Sequence, residues 1–168
     1  MKNFRLFLLL GIGLLIGSQS LSVWAKQKEK ENEMTRKEQR IKELVESGRY
    51  TIDVNRVLPM SGSAVNLTST YSLTLHGDSV ISHLPYFGRA YTLPYGGGTG
   101  LRFESLTSNL SQTVDGKNTV KVDFCTRSED DSYTFDINVF SNGSVTIHVT
   151  PANKQAITYH GDLVVDEI

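Results

Sequence analysis

The side chains able to do acid–base, nucleophilic or metal chemistry are scattered along this chain, and their spacing does not build a reaction centre. The histidines are His76, His83, His148 and His160. None stands in a His-Glu-x-x-His pattern or any other close ligand spacing. Cys125 is the single cysteine, so an internal disulfide and a cysteine-based zinc site are both impossible. Arg127, two residues on, could lend this thiol an electropositive setting, but a quiet thiol is the simpler reading. Glu129-Asp-Asp131 is a dense acidic group without EF-hand spacing, and at a turn it reads as solvated carboxylates. No Gly-x-Ser-x-Gly elbow occurs. The expectation is therefore no catalytic residue, no metal and no cofactor, with a hydrolase using the acidic residues left unsupported.

What sets one stretch apart is residues 83–103. Two of the chain's four prolines and five of its fourteen glycines fall there. Pro85 and Pro94 fix φ and remove amide donors, so neither suits a central strand position. Gly96, Gly97 and Gly98 permit a sharp bend or close backbone approach. No Lys follows the glycines, and Leu101-Arg-Phe-Glu104 looks like a strand rather than a helix start, which argues against a phosphate loop. Tyr86, Phe87, Tyr91 and Tyr95 offer large apolar faces, and Arg89 among them could stack on a ring or fork onto a carboxylate. Two readings follow. In one, Tyr86, Phe87, Arg89, Tyr91, Tyr95 and the three glycines form a ligand site suited to a sugar or lipid. In the other, the stretch is a bent connection whose aromatics plug the core.

The elements that must position this stretch follow from periodicity. From residue 50 onward apolar and polar side chains alternate, most regularly at Tyr133, Phe135, Ile137 and Val139, with turn residues every ~10 positions. Strands are expected over 50–55, 71–75, 79–84, 101–104, 111–114, 120–126, 133–139, 145–149 and 157–164. His76-Gly-Asp78 and Ser141-Asn-Gly143 read as hairpin turns. Short turns make sequence neighbours antiparallel neighbours. The fold class is all-β: an antiparallel meander of about eight or nine strands forming a barrel or partly open sandwich, with one N-terminal helix.

That helix lies in a charged segment, 26–48. Thr35 and Glu38 suit a capping box, Ile41, Leu44 and Val45 form an apolar stripe, Glu38 and Lys42 are an i,i+4 pair, and Gly48 suits the helix end. Residues 26–33 read as a solvated or disordered lead. Residues 49–168 are a single β domain.

Residues 1–25 read as a targeting signal. Lys2 and Arg5 flank an apolar run of about eleven residues, short of the ~20 that span a bilayer, and Val23-Trp-Ala25 suits cleavage after Ala25. Export to the periplasm or outside the cell is expected, with no transmembrane helix after cleavage and no cysteine for a lipid anchor. Lys2 and Arg5 are the only charges in this segment, so the remainder carries 15 basic and 18 acidic side chains, net −3. That balance argues against non-specific nucleic-acid binding and against attraction to anionic membranes.

Residues 50–164 resemble the bacterial family of domain of unknown function 4251, found in exported proteins of the Bacteroidetes. The pieces that carry the resemblance are Val57-Leu-Pro-Met-Ser-Gly62, Leu67-Thr-Ser-Thr-Tyr71, Leu84-Pro-Tyr-Phe-Gly-Arg-Ala-Tyr91 and Pro94-Tyr-Gly-Gly-Gly98. The resemblance implies an exported protein and assigns no activity. Asp78-Ser-Val80 also resembles the three-residue O-glycosylation sequon of that phylum. Taken together, the chain is expected to be a non-catalytic binding module of the periplasm or cell envelope. The alternative is a structural or protein-interaction component of the envelope, its partner an envelope protein.

Overall fold

The alternating pattern becomes eight strands, β1 (Arg49–Pro59), β2 (Val65–His76), β3 (Ser79–Leu84), β4 (Leu101–Asp115), β5 (Thr119–Arg127), β6 (Ser132–Val139), β7 (Ser144–Pro151) and β8 (Ile157–Leu163). The structure is a computed structural model that describes residues 28–91, 100–115 and 119–165. Each strand pairs with the next, all antiparallel, and β8 pairs back onto β1 to close a barrel. The expected meander with an N-terminal helix is thus observed, and closure into a barrel settles the choice against a sandwich.

Eight strands replace nine expected segments because 101–104 and 111–114 are one strand. A bulge between Ser108 and Ser111, with Asn109 at φ 54, lets β4 keep pairing with β5 across the irregularity. β2 also starts earlier than its apolar alternation suggested. Its first residues, 65–70, are rich in Ser and Thr and mostly exposed, so little apolar signal marks them.

Alternation sorts the side chains cleanly. Val120, Val122 and Phe124 on β5, Tyr133, Phe135 and Ile137 on β6, and Val145, Ile147 and Val149 on β7 are buried inside the barrel. Phe124 stacks on Phe135 with centroids 4.9 Å apart, and Phe103 stacks on Tyr133 at 4.8 Å. Burying each such side chain contributes roughly 1.5–3 kcal/mol before entropy is counted. The positions between them, among them Lys121, Asp123, Thr134, Asp136, His148 and Asp162, are polar and point outward. A filled apolar interior and a polar outer wall are the reverse of a membrane-spanning barrel.

The helix, α1, covers 28–46. Residues up to Lys37 and residues from Glu38 on belong to two separate compact units. In the second unit, Ile41 and Val45 join the buried cluster of the barrel interior, as the apolar stripe required. The chain then turns at 47–48 into β1, where Gly48 N–H bonds to the Val45 carbonyl and Gly77 N–H to the Gly48 carbonyl. The stripe therefore stoppers the end of the barrel that carries the β2–β3 turn. Thr35 lies inside the helix and donates to the Glu31 carbonyl at 2.9 Å instead of capping. The side-chain ion pair is Lys42–Glu46, at 3.8 Å, one turn beyond the expected one. The expected solvated lead is helical and exposed from residue 28.

Candidate functional site

In an up-and-down barrel alternate connections gather at the same end. The end opposite the helix carries the β1–β2 loop, the β3–β4 connection that holds the Pro- and Gly-rich stretch, the β5–β6 turn and the β7–β8 connection. Residues 85–91 of that β3–β4 connection are thus set beside residues 128–131 and 152–156, which sequence distance had kept apart.

The first part of the connection is tied down through its backbone. Tyr159, inside the barrel, donates its hydroxyl to the Pro85 carbonyl at 2.7 Å. The Tyr86 hydroxyl has the Gln155 carbonyl at 2.8 Å and the Arg89 carbonyl at 3.0 Å as acceptors. Burial beneath the loop raises the Tyr86 pKa. Gly88 makes this possible, because a Cβ there would fall on the Tyr86 ring and hydroxyl. Gln155 N–H donates to the Arg89 carbonyl at 2.9 Å and Tyr91 N–H to the Asn153 carbonyl at 2.8 Å. Ala90 and Lys154 form the antiparallel bridge between them. Residues 89–91 are therefore a short ladder against the β7–β8 connection.

Beneath this ladder lies Lys154, only 7% exposed. Its Nζ sits 5.8 Å from the Tyr86 ring centroid and 5.7 Å from that of Tyr133, and donates to the Tyr133 hydroxyl at 3.4 Å. Two ring faces offset part of the cost of desolvating an ammonium. Asp131 is buried nearby and accepts from the amides of Ser132, at 2.9 Å, and Asn153, at 3.2 Å, and from the Asn153 side chain at 3.1 Å. The sequence suggested that all of Glu129-Asp-Asp131 is solvated. Glu129 and Asp130 are exposed, whereas Asp131 is the buried acceptor that fixes the two neighbouring connections together.

The stretch divides into an anchor and a display. Tyr86 turns inward and packs against the core. Phe87 is 47% exposed and Tyr91 70% exposed. Arg89 is exposed, and its guanidinium has no hydrogen bond or ion pair among the described residues. Tyr95, Gly96, Gly97 and Gly98 lie outside the described residues. Sequence reasoning missed Asp131, Lys154, Gln155 and Tyr159 as members of this end. The one available signal was the inward parity of Tyr133 and Tyr159 on their strands, which aims two hydroxyl-bearing rings at the same mouth.

A concavity lies on the outer wall. This open groove of about 580 Å³ runs past Ser108, Cys125, Arg127, Ser132, Thr134 and Thr150. The Cys125 thiol lies 3.7 Å from the Thr134 hydroxyl. His148 and His160 stand on adjacent strands, but each bonds a threonine hydroxyl, Thr158 at 2.9 Å and Thr146 at 3.2 Å. Among the described residues no group of three or more His, Cys, Asp or Glu side chains could hold a metal ion. Nor is any helix among them long and apolar enough to cross a membrane.

Comparison with curated proteins gives no match. Among solved structures the chain is similar to the crystal structure of a DUF4251 family protein from Bacteroides eggerthii DSM 20697, with a TM-score of 0.61 and 16% identity, covering 76% of this chain and 87% of that one. That likeness is one of fold. The family described as domain of unknown function (DUF4251) matches residues 32–163, and these span the whole barrel, the tied-down connection and most of the helix, so the chain belongs to the DUF4251 family.

Proposed function

We propose that this protein is an exported, non-catalytic binding module of the periplasm or cell envelope, and that the mouth opposite the helix is its binding surface. The observation that carries this reading is the division of labour at residues 85–91. One ring, Tyr86, is spent on holding the segment, while Phe87 and Tyr91 are presented to solvent beside the exposed Arg89, whose guanidinium has no partner among the described residues. A backing built from Tyr159 and the β7–β8 connection, itself bonded to Asp131 of the β5–β6 turn, holds residues 85–91 before a ligand arrives, which lowers the ordering cost of binding. Rings and a guanidinium suit a sugar with a carboxylate, or a lipid headgroup. The interior is packed with side chains, so the ligand sits on the mouth and not within the barrel.

Export rests on residues 1–25, with cleavage after Ala25. Cell fractionation and N-terminal sequencing of the mature chain test it, and a cytoplasmic chain retaining Lys2 would refute it. Binding is tested by calorimetric titration with acidic and neutral oligosaccharides and with phospholipid micelles. Phe87→Ala, Tyr91→Ala and Arg89→Ala should each weaken an observed ligand by about tenfold without altering the melting temperature. Failure of all three to change the affinity removes the mouth as the site.

A further inference from the structure

β4 is longer than the partner on one of its sides. β3 pairs with it only as far as Leu106, opposite Ser79, and Thr107 then closes that side by donating to the Asp78 carbonyl through both its amide and its hydroxyl. β4 runs on to Asp115, its residues from Ser111 pairing with β5. Among the described residues no strand pairs with the other edge of β4 past Leu106. Every side chain from Ser108 to Asp115 is exposed, including Leu110 at 45% and Val114 at 49%.

An unpaired edge offers alternating amides and carbonyls to any extended chain, and natural edges are guarded by Lys, Pro or inward charges. Here residues 108–114 carry no charge and no proline. The one guard among the described residues is the bulge formed by Asn109 and Leu110, and from Ser111 on β4 pairs regularly. Leu110, Gln112 and Val114 alternate onto one face, the face of Val120 and Val122. Their order is symmetric about Gln112, with one branched apolar residue two positions before it and one two positions after.

We propose that two copies of this chain pair antiparallel through this edge, two-fold about Gln112. That register sets Leu110 of each copy opposite Val114 of the other, and Gln112 opposite its own equivalent. It places each Asp115 opposite an Asn109, so no like charges meet. A pattern that complements itself is what an isologous interface requires, and apolar cross-strand pairs supply its stability. An uncharged edge holds no feature that would select a charged foreign peptide. The pairing lies away from the mouth and is independent of its role.

The test is sedimentation of the mature chain over a wide concentration range. The dimer should appear as concentration rises, and Leu110→Lys or Val114→Lys should raise its dissociation constant by about tenfold or more with circular dichroism unchanged. The register is read separately in a Cys125→Ser background. Gln112→Cys should cross-link spontaneously, because directly opposed Cα atoms lie roughly 4.5–5.5 Å apart, within disulfide reach, whereas Ser108→Cys should not. A chain that stays monomeric at every concentration overturns the proposal. So does a dimer that tolerates both lysines, equal cross-linking at the two positions, or a monomer whose edge captures only a peptide of other sequence.

Discussion

The hydroxyl of Tyr159, buried inside the barrel, donates at 2.7 Å to the main-chain carbonyl of Pro85, 74 positions earlier in the chain. Tyr50, buried near the opposite end, has a hydroxyl with no partner among the described residues. Burial pushes both phenols well above the ordinary tyrosine range. The same substitution should therefore have opposite signs at the two sites. Tyr159→Phe strands the Pro85 carbonyl and should cost about 1–3 kcal/mol, while Tyr50→Phe removes an unsatisfied hydroxyl and should be neutral or stabilising by about 1 kcal/mol. Urea unfolding of the two variants checks this, with the m-value unchanged in both. Equal destabilisation would contradict the account.

The seam between β1 and β8 depends on Gly161. β1 bulges between Val54 and Arg56 where it meets β8, and a Cβ on Gly161 would fall on the Asp53 carbonyl oxygen. The obstacle is backbone, which cannot rotate aside. Gly161→Ala should cost about 3 kcal/mol or more, and hydrogen exchange should quicken first in β1 and β8. Protection lost evenly over all eight strands would argue against a local seam.

Asp123 and Asp136 face each other across β5 and β6, and Asp136 faces His148 across β6 and β7. Burial, a hydrogen bond with Asp123 and the charge of Asp123 raise the Asp136 pKa, against a smaller opposing pull from His148. A carboxyl held above its ordinary value binds its proton more tightly folded than unfolded. Its contribution is intact below about pH 4 and is lost as pH rises through the elevated value. Asp136→Asn should match the parent near pH 3 and be the more stable protein at pH 7. Thermal melts at the two pH values measure the difference, and a parent that gains on the variant with rising pH reverses the sign.

Lys154 has two aromatic faces and a long hydrogen bond for partners, and no carboxylate within ion-pair distance among the described residues. Methionine has similar length and no charge to desolvate. Lys154→Met should be neutral or stabilising by roughly 0–2 kcal/mol, whereas Lys154→Ala should cost about 2 kcal/mol or more through the cavity it leaves. If methionine destabilises as much as alanine, the ammonium itself is what the tyrosines hold.

Much of the barrel was legible because its signals are local. Tyr133, Phe135, Ile137 and Val139 alternate without interruption, and the Ser141-Asn-Gly143 turn closes with Asn142 accepting from the Ser144 amide, as that tripeptide suggests. The length of β4 was hidden because a bulge at Asn109 shifts the parity of every residue after it. The mouth was half legible. Prolines and glycines marked the connection, but nothing local to Asp131 or Lys154 distinguishes a buried charge from a solvated one. That distinction is made by Asn153 and Tyr133, which the β6–β7 hairpin brings to them, and by Tyr86, which arrives with the distant β3–β4 connection.

Because each strand is hydrogen-bonded to its neighbours in sequence, seven of the eight pairings can form in the order the chain emerges, and only the joining of β8 to β1 spans the domain. Distant contacts of that kind are the slow ones in folding. Until β8 arrives, β1 lacks its partner on that flank, so a truncated or half-made chain bares a strand edge that the finished barrel covers.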